Sequence, residues 1–301
     1  MSASLSAAAL TAYNRGNYTD LNGMPLKSAS ENIERKLGEY HSSPDELART
    51  ADLMQLVPSG YSTVLDAGAR DGYYSKLLAN KFAHVTALDL HKPSIVHDRV
   101  HCVEGDITSL NFADRSFDVV LCSEVLEHVP KLDRACEELM RVARHAIIVG
   151  VPYRQDIRIG RTTCRLCGKI APPWGHVNSF EHGKLERLFR QWRPVKQSLV
   201  GEDKERTNAV AAWLMDVAGN PFGIYDDQTC IHCGSALVSH GPLSLPLRVC
   251  AATALRLAQL SSRLTRPHAN WIHVVFEPPI EKCRPPSEEN RPFGPSLDSV
   301  D

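Results

Sequence analysis

The sequence contains no run of about 18 apolar residues, the length that a helix needs to cross a bilayer. Its N-terminus has no charged segment followed by an apolar core, so we do not expect a secretory signal. Charge is nearly balanced, with 34 Lys and Arg against 35 Asp and Glu, and no global basic field points to a nucleic-acid partner. We therefore expect a cytoplasmic protein. Its 301 residues suit one large domain with additions.

Short apolar runs alternate with helical patterns along the chain. We predict strands at 63–66, 84–89, 100–103, 117–122, 145–150 and 269–277. Helices are predicted at 43–56, 73–80, 131–143, 180–192 and 247–264. Such alternation is typical of an α/β protein with a doubly wound, mostly parallel sheet covered by helices on both faces. Residues 1–42 read as a polar lead-in, and 278–301, rich in Pro, Ser and Glu, as a disordered tail.

The most informative stretch is a glycine turn between the first predicted strand and the next helix. The strand ends in Asp66, and the turn runs from Gly68 to Gly72. Glycine has no Cβ, so backbone amides in such a turn can approach a nucleotide-like ligand closely. The spacing differs from the dinucleotide fingerprint Gly-x-Gly-x-x-Gly, which disfavours NAD. The second strand ends in Asp89, where a carboxylate can accept hydrogen bonds from ribose hydroxyls.

Further motifs follow in order at 103–107, 116–122 and 124–130. Together with the turn and Asp89, this set resembles the class I S-adenosylmethionine-dependent methyltransferases, particularly the small-molecule branch. The resemblance covers roughly residues 45–200 and returns near 269–277. It implies a seven-stranded Rossmann-like sheet and S-adenosyl-L-methionine as the methyl donor.

The resemblance assigns cofactor contacts to eight positions. The loop around the methionine part would be formed by Asp66, Gly68 and Gly72, and Glu124 would lie at the mouth of the cleft. The ribose and adenine would meet, in chain order, Asp89, Leu90, Asp106 and Ile107. An acidic residue at a strand end can also cap the following turn, and this alternative stays open for Asp106 in particular.

Arg70 departs from the family pattern, which usually has glycine at this position. A residue with a Cβ is strained wherever the backbone needs a positive φ. Arg70 therefore leaves the detailed shape of the loop open. It is also the only feature that favours a non-catalytic binding module of the same fold.

The cysteines give a second signal, because four of the nine form two Cys-x-x-Cys-Gly pairs, Cys164 with Cys167 and Cys230 with Cys233. In a cytosolic chain such pairs more often bind metal than form disulfides, and four thiolates would make a closed, structural zinc site. The long gap between the pairs lowers the specificity of this motif. In the resembling fold, however, both loops leave the sheet at the same edge. A redox Cys-x-x-Cys is the competing interpretation.

Two histidines are candidate general bases for methyl transfer to a hydroxyl group: His128, at the cleft mouth, and His176, before the helix after the fifth strand. Each also fits a structural hydrogen-bonding role. The run from Glu124 through Glu127 to His128 also resembles the metal-binding motif of RNA 3′-terminal 2′-O-methyltransferases. In that alternative, His176 or His182 would supply a further ligand.

The predicted helix at 247–264 gathers Arg248, Arg256 and Arg263 on one side. A basic amphipathic helix can rest on an anionic membrane surface, although a packed helix with a solvated face has the same pattern. We expect lid insertions at about 153–178 and 203–266 within a methyltransferase domain spanning 43–277. The expected acceptor is a small molecule or a sugar unit of a glycan, methylated at oxygen rather than at nitrogen or carbon.

Overall fold

The computed structural model describes residues 40–223, 228–238 and 242–279. The predicted tail from 280 onward and the predicted lead-in before residue 40 lie outside this range. No helix in the described part of the chain is long and apolar enough to cross a membrane.

Seven strands form the main sheet of the described residues, in the order β3-β2-β1-β4-β5-β9-β8. The strands of this sheet are β1 Thr63–Ala67, β2 His84–Asp89, β3 Val100–Glu104, β4 Phe117–Ser123, β5 Ala143–Pro152, β8 Arg193–Val200 and β9 Trp271–Glu277. The first five run parallel, while β9 pairs antiparallel with both β5 and β8. The predicted seven-stranded, mostly parallel sheet is confirmed.

Four helices of five or more residues accompany the sheet in the described part of the chain, and two more pack against each other in the insertion between β8 and β9. They are α1 Pro44–Leu56, α2 Tyr73–Leu78, α3 Leu132–Val142, α4 Lys184–Leu188, α5 Ala209–Val217 and α6 Leu245–Leu264. Two short strands, β6 Thr162–Thr163 and β7 Ile170–Ala171, form a separate hairpin.

The core lies on both faces of the sheet. Strand β4 is buried along its whole length, as expected of a central parallel strand. On one face, Val119 packs in a cluster with Leu53 of α1 and Leu78 of α2. On the other, Val120 packs with Leu139 of α3. Alternate side chains of one strand therefore hold helices on opposite faces, as the doubly wound prediction requires.

Helix α1 begins as predicted at Ser43, whose side-chain oxygen accepts a hydrogen bond from the Glu46 backbone amide at 3.4 Å. Only half of a capping box forms at this helix start. The Glu46 carboxylate does not reach back to Ser43 but pairs with Arg49 at 2.6 Å. Helix α1 thus carries a buried ion pair toward the carboxyl end of the sheet.

The predicted helix at 180–192 is mostly wrong. Gly183 has a left-handed backbone with φ 77°, and only Lys184–Leu188 is helical. Residue Phe180 instead forms a bridge to Tyr153 at the end of β5. The sequence prediction also missed β8 and α5, while the helix predicted at 247–264 is α6, which begins two residues earlier.

Candidate active site

A cleft of about 1060 Å³ opens at the carboxyl ends of β1, β4 and β5. The strand order reverses between β1 and β4, and ligands of open α/β sheets bind at such a point. One wall is the glycine turn after β1, the opposite wall comes from α5 and α6, and α1 closes the front.

The glycine turn is tight, and glycine is strongly favoured at two of its positions. Gly68 has φ 89°, and a Cβ there would lie 2.1 Å from Cγ2 of Val125. Gly72 has φ 79°, and its Cβ would meet Ile95 at 2.3 Å. The amides of Gly68 and Ala69 both donate to the carbonyl of Leu88, at 2.7 and 2.9 Å. These contacts bring the turn against the end of β2.

Two acidic residues hold this turn from either side. The Asp66 carboxylate is buried and accepts a 2.5 Å hydrogen bond from the Ser75 hydroxyl. Burial raises the pKa of Asp66 to about 7, against the lowering effect of that bond. Asp89 accepts a 2.9 Å hydrogen bond from the backbone amide of Arg70.

The residues expected around the adenine lie beside the cleft rather than along its described lining. The Leu90 side chain is 62% exposed at the end of β2, while Ile107 is buried in the core. The Asp106 carboxylate accepts hydrogen bonds from both the amide and the hydroxyl of Thr108, each at 2.8 Å. Asp106 therefore caps its own turn, and its contact with adenine stays a prediction.

Arg49 is a cleft residue that the sequence did not reveal. Its guanidinium lies 2.6 Å from Glu46 and 2.9 Å from Glu124, and its Cζ is 5.4 Å from the centre of the Trp271 ring. Burial raises the pKa of Glu124, while the charge of Arg49 opposes this shift. The only signal in the sequence is that Arg49 shares the inward face of α1 with Leu53.

Glu127, His128 and His176 form a compact cluster in which one ligand atom from each residue lies within 4.8 Å of the others. The rings of His128 and His176 meet edge to face at 4.6 Å between centroids. Nδ1 of His176 lies 2.6 Å from the Gln155 side-chain oxygen. The fully buried Glu127 carboxylate has no hydrogen-bond partner among the described side chains or backbone groups. His182 does not join this cluster.

Both histidines are neutral near pH 7. Desolvation by the surrounding protein lowers the pKa of His128 to about 4, and the positive charge of Arg70 lowers it further. Burial lowers the pKa of His176 to about 3. Burial also raises the pKa of Glu127, and the neighbouring Glu124 adds to the rise. A neutral imidazole can accept a proton or ligate a cation.

The wall facing the glycine turn is mainly apolar. It consists of side chains from α5 and α6, namely Ala211, Ala212, Met215, Ala254, Leu255 and Ala258. Asn208 ties the two helices together, since it caps α5 and donates to the Ser261 hydroxyl at 2.9 Å. Asp156 after β5 accepts from Arg158 and from the Thr207 amide, at 2.8 and 2.9 Å. The segments after β5 and β8 thus form one wall.

The two cysteine pairs converge at the outer end of this wall. The Sγ atoms of all four cysteines lie within 4.8 Å of one another. Cys164 is 3.7 Å from Cys233, and Cys167 is 3.7 Å from Cys230. A tetrahedron of Zn–S bonds near 2.3 Å has edges of about 3.8 Å, so the donor set fits zinc. Gly168 and Gly234 close equivalent turns with φ 70° and 71°.

Comparison with known proteins agrees with this geometry. Residues 65–147 match the family model described as a methyltransferase domain. This stretch of the chain is therefore similar to methyltransferase domains. The matched stretch contains the glycine turn, Asp89, Asp106 and the cluster residues Glu127 and His128.

The same part of the chain is similar to curated methyltransferases of modest identity. A ubiquinone biosynthesis O-methyltransferase of Pseudomonas paraeruginosa is 36% identical over 92 residues, which cover 26% of this chain and 40% of that protein. A demethylmenaquinone methyltransferase of Clavibacter sepedonicus is 34% identical over 108 residues, 33% of this chain and 44% of that protein. The chain thus spans less than half the length of these relatives.

Solved methyltransferases are also matched, at lower identity and with TM-scores below 0.5. A Burkholderia thailandensis 1,6-didemethyltoxoflavin-N1-methyltransferase with bound S-adenosylhomocysteine is 14% identical, with a TM-score of 0.45 over 85% of this chain and 90% of that one. An N-methyltransferase of Bradyrhizobium japonicum with S-adenosylhomocysteine is also 14% identical, with a TM-score of 0.47 over 83% and 97%.

Proposed function

We propose that the protein transfers a methyl group from S-adenosylmethionine to a hydroxyl of a small molecule or sugar unit. The observation that carries the proposal is the cleft itself. It sets the glycine turn of the methyltransferase domain opposite an apolar wall, with two neutral histidines between them.

The residues of the turn fit the methyl donor. Gly68 lines the cleft, and a Cβ at this position would collide with Val125. Asp66, Asp89 and Glu124 offer carboxylates to the ammonium and hydroxyl groups of the donor. The bound donor supplies an activated sulfonium methyl group. The task of the chain is therefore to align donor and acceptor and to exclude water.

His176 is the better candidate for the base. Its ring is held by Gln155 and is only 6% exposed, so its orientation is fixed. If Nδ1 donates to Gln155, Nε2 is left to accept the acceptor's hydroxyl proton. His128 lies at the more open side of the same ring pair and is the alternative base.

The acceptor proposal draws on the apolar wall and the relatives. The names of two relatives concern ubiquinone and demethylmenaquinone, and a small acceptor with an apolar part would suit the side chains of α5 and α6. A glycan unit remains within the proposal because polar residues, namely Asp156, Asn270 and Thr207, also line the cleft.

We further propose a structural zinc ion held by Cys164, Cys167, Cys230 and Cys233. Four thiolates leave no open position for substrate or water. The ion would join the segment after β5 to the segment before β9, which together form the wall opposite the glycine turn.

A second candidate function is methyl transfer assisted by a divalent cation, with an RNA 2′-hydroxyl as the acceptor. The convergence of Glu127, His128 and His176 favours it, because the buried Glu127 carboxylate has no hydrogen-bond partner among the described residues. These residues would hold the cation, which would polarise the acceptor oxygen. Activity that requires added Mg²⁺ or Mn²⁺ and labels RNA would favour this candidate, and full activity in EDTA with a small acceptor would exclude it.

Peripheral membrane contact through α6 is a related proposal. Arg248, Arg256 and Arg263 are exposed, as are the apolar side chains of Val249 and Leu260. Anionic and neutral vesicles should be compared by co-sedimentation at low and high salt. If the same amount of protein sediments with and without anionic vesicles, this contact is excluded.

The acceptor class is tested by incubating the protein with methyl-labelled S-adenosylmethionine and separated cell fractions. The proposal predicts label in small metabolites or glycans, released as a methyl ether. Label confined to protein, or absent from every fraction while the donor binds, would contradict it.

A further inference from the structure

Arg70 holds a position where the resembling family usually has glycine, and its backbone is left-handed with φ 49°. The loop keeps its shape all the same. The Arg70 amide is bonded to Asp89 at 2.9 Å, and the amide of Gly72 donates to the carbonyl of Ala69 at 2.7 Å. The strained conformation thus sits on a fixed support, which directs a long cationic side chain into the cleft wall.

The Arg70 guanidinium has unused donors. Its Nε and Nη2 atoms are shielded from solvent, and neither has a hydrogen-bond partner within the described residues. No carboxylate in this part of the chain comes within ion-pair distance of it. Enclosed donors without a partner are costly, and a native site normally supplies one.

The other arginines that line the cleft are all paired. Arg49 has Glu46 and Glu124 at 2.6 and 2.9 Å. Arg158 contacts Asp156 at 2.8 Å, and Arg161 contacts Asp216 at 3.1 Å. Among the arginines that line the described cleft, Arg70 is therefore the one without an ion pair, and it can bind an incoming anion.

The position of Arg70 relates this anion to the acceptor. Arg70 lines the same cleft as His128, His176 and the apolar side chains of α5 and α6. The planar guanidinium presents two parallel donors that match a carboxylate or a phosphate. A glycine at this position would leave the same space without any charge.

We propose that Arg70 binds an anionic group of the methyl acceptor, so that the enzyme selects acidic small molecules carrying a carboxylate or a phosphate. This inference rests on the proposed methyltransferase function and narrows its acceptor class. The methionine carboxylate of the donor is the competing occupant, and the experiment below separates the two.

The test is calorimetric binding to the full chain saturated with S-adenosylhomocysteine. The probes are 4-hydroxybenzoate, phenyl phosphate and the neutral 4-hydroxybenzamide, each up to millimolar concentration. The variants are Arg70→Gly, which the left-handed backbone tolerates, and Arg70→Lys. Arg115→Gly is the matched control, since Arg115 also has a left-handed backbone, with φ 54°, but lies outside the cleft lining.

We expect the wild type to bind one of the anionic probes at least roughly 10-fold more tightly than the neutral probe, as a charge-assisted hydrogen bond pair would give. Arg70→Gly should abolish this preference, Arg70→Lys should keep part of it, and Arg115→Gly should leave it unchanged. Affinity for S-adenosylhomocysteine should stay within about threefold in all variants. The anion that binds more tightly distinguishes a carboxylate from a phosphate acceptor.

Two results would overturn the inference while leaving the methyltransferase function in place. One is equal or absent binding of all three probes to the complex with S-adenosylhomocysteine. The other is a loss of S-adenosylhomocysteine affinity of roughly 10-fold or more in Arg70→Gly, which would assign Arg70 to the donor. Failure of the wild type to bind S-adenosylhomocysteine at all would instead refute the proposed function, and the acceptor site with it.

Discussion

His176 is held by a contact with Gln155 and packs against His128, and its proposed role as a general base can be tested directly. Gln155 holds its Nδ1 at 2.6 Å, and the His128 ring packs edge to face against it. The sequence could name His176 from its place after the fifth strand. It could not predict Gln155, because an uncharged polar residue in a loop carries no pattern.

Replacing His176 by Ala should lower turnover on the labelled acceptor fraction by roughly 100-fold or more, the usual contribution of a general base. S-adenosylhomocysteine affinity should change by less than about threefold. His182→Ala is the control, because His182 is exposed and lies outside the cluster. Turnover retained in His176→Ala would remove this residue from the catalytic role.

Asp66 gives a prediction for pH. Burial raises its pKa in the folded protein to about 7, above the value in an unfolded chain. Between the two values the folded state binds the extra proton, so the free energy of unfolding falls as pH rises from 5 to 8, by about 1–3 kcal/mol. Urea denaturation at both pH values measures this fall. Asp66→Asn should flatten the dependence, and an equal slope in the variant would refute the assignment.

Arg49 shows why some site residues escape sequence analysis. A charged residue in a helix is normally solvated, so nothing marks Arg49 and Glu46 as buried partners. The partner Glu124 comes from a distant part of the chain. Only the packing of α1 over the sheet brings these three side chains together.

Removing Arg49 should therefore be severe. Arg49→Ala leaves the buried Glu46 and the partly buried Glu124 without a counter-charge, and we expect a loss of about 3–5 kcal/mol in the free energy of unfolding. Arg134 is the control, since its pair with Glu137 is more than half exposed, and Arg134→Ala should cost less than about 1 kcal/mol. Similar effects of the two substitutions in chemical denaturation would contradict the buried-pair account.

At the scale of elements, the strands were predicted well and the insertions were not. The strands β1, β2, β4 and β5 are short apolar runs, a pattern that indicates buried strands. Strand β8 was missed because most of its side chains are exposed at the sheet edge, including Lys196 and Gln197. The helix predicted at 180–192 fails because Gly183 breaks the apolar period and adopts a left-handed backbone.

In the proposed zinc site, the two cysteine turns join the segment after β5 to the segment before β9. Cys230→Ser should lower the melting temperature by roughly 5–10 °C, as expected for loss of a stabilising metal site in a domain of this size. Cys250→Ser is the control, since Cys250 lies in α6 outside the cluster. A melting temperature unchanged by chelation, together with no zinc by elemental analysis, would refute the proposal.

For the whole molecule, the order of the sheet explains how distant motifs meet. Parallel strands place the loops after β1, β4 and β5 at one edge, so the glycine turn and the histidine pair face the same cleft. That convergence follows from the sequence motifs once the fold is known. The apolar wall does not, because α5 and α6 pack against each other within an insertion that has no family pattern.

The central claim is that this cleft binds the methyl donor, and equilibrium binding of S-adenosylmethionine tests it most directly. Titration calorimetry should give one saturable site per chain, with S-adenosylhomocysteine competing for it. Asp89→Ala, which loses the carboxylate assigned to the ribose, should weaken binding by roughly 10-fold or more. No detectable binding to the folded wild type, or equal affinity in Asp89→Ala, would contradict the account.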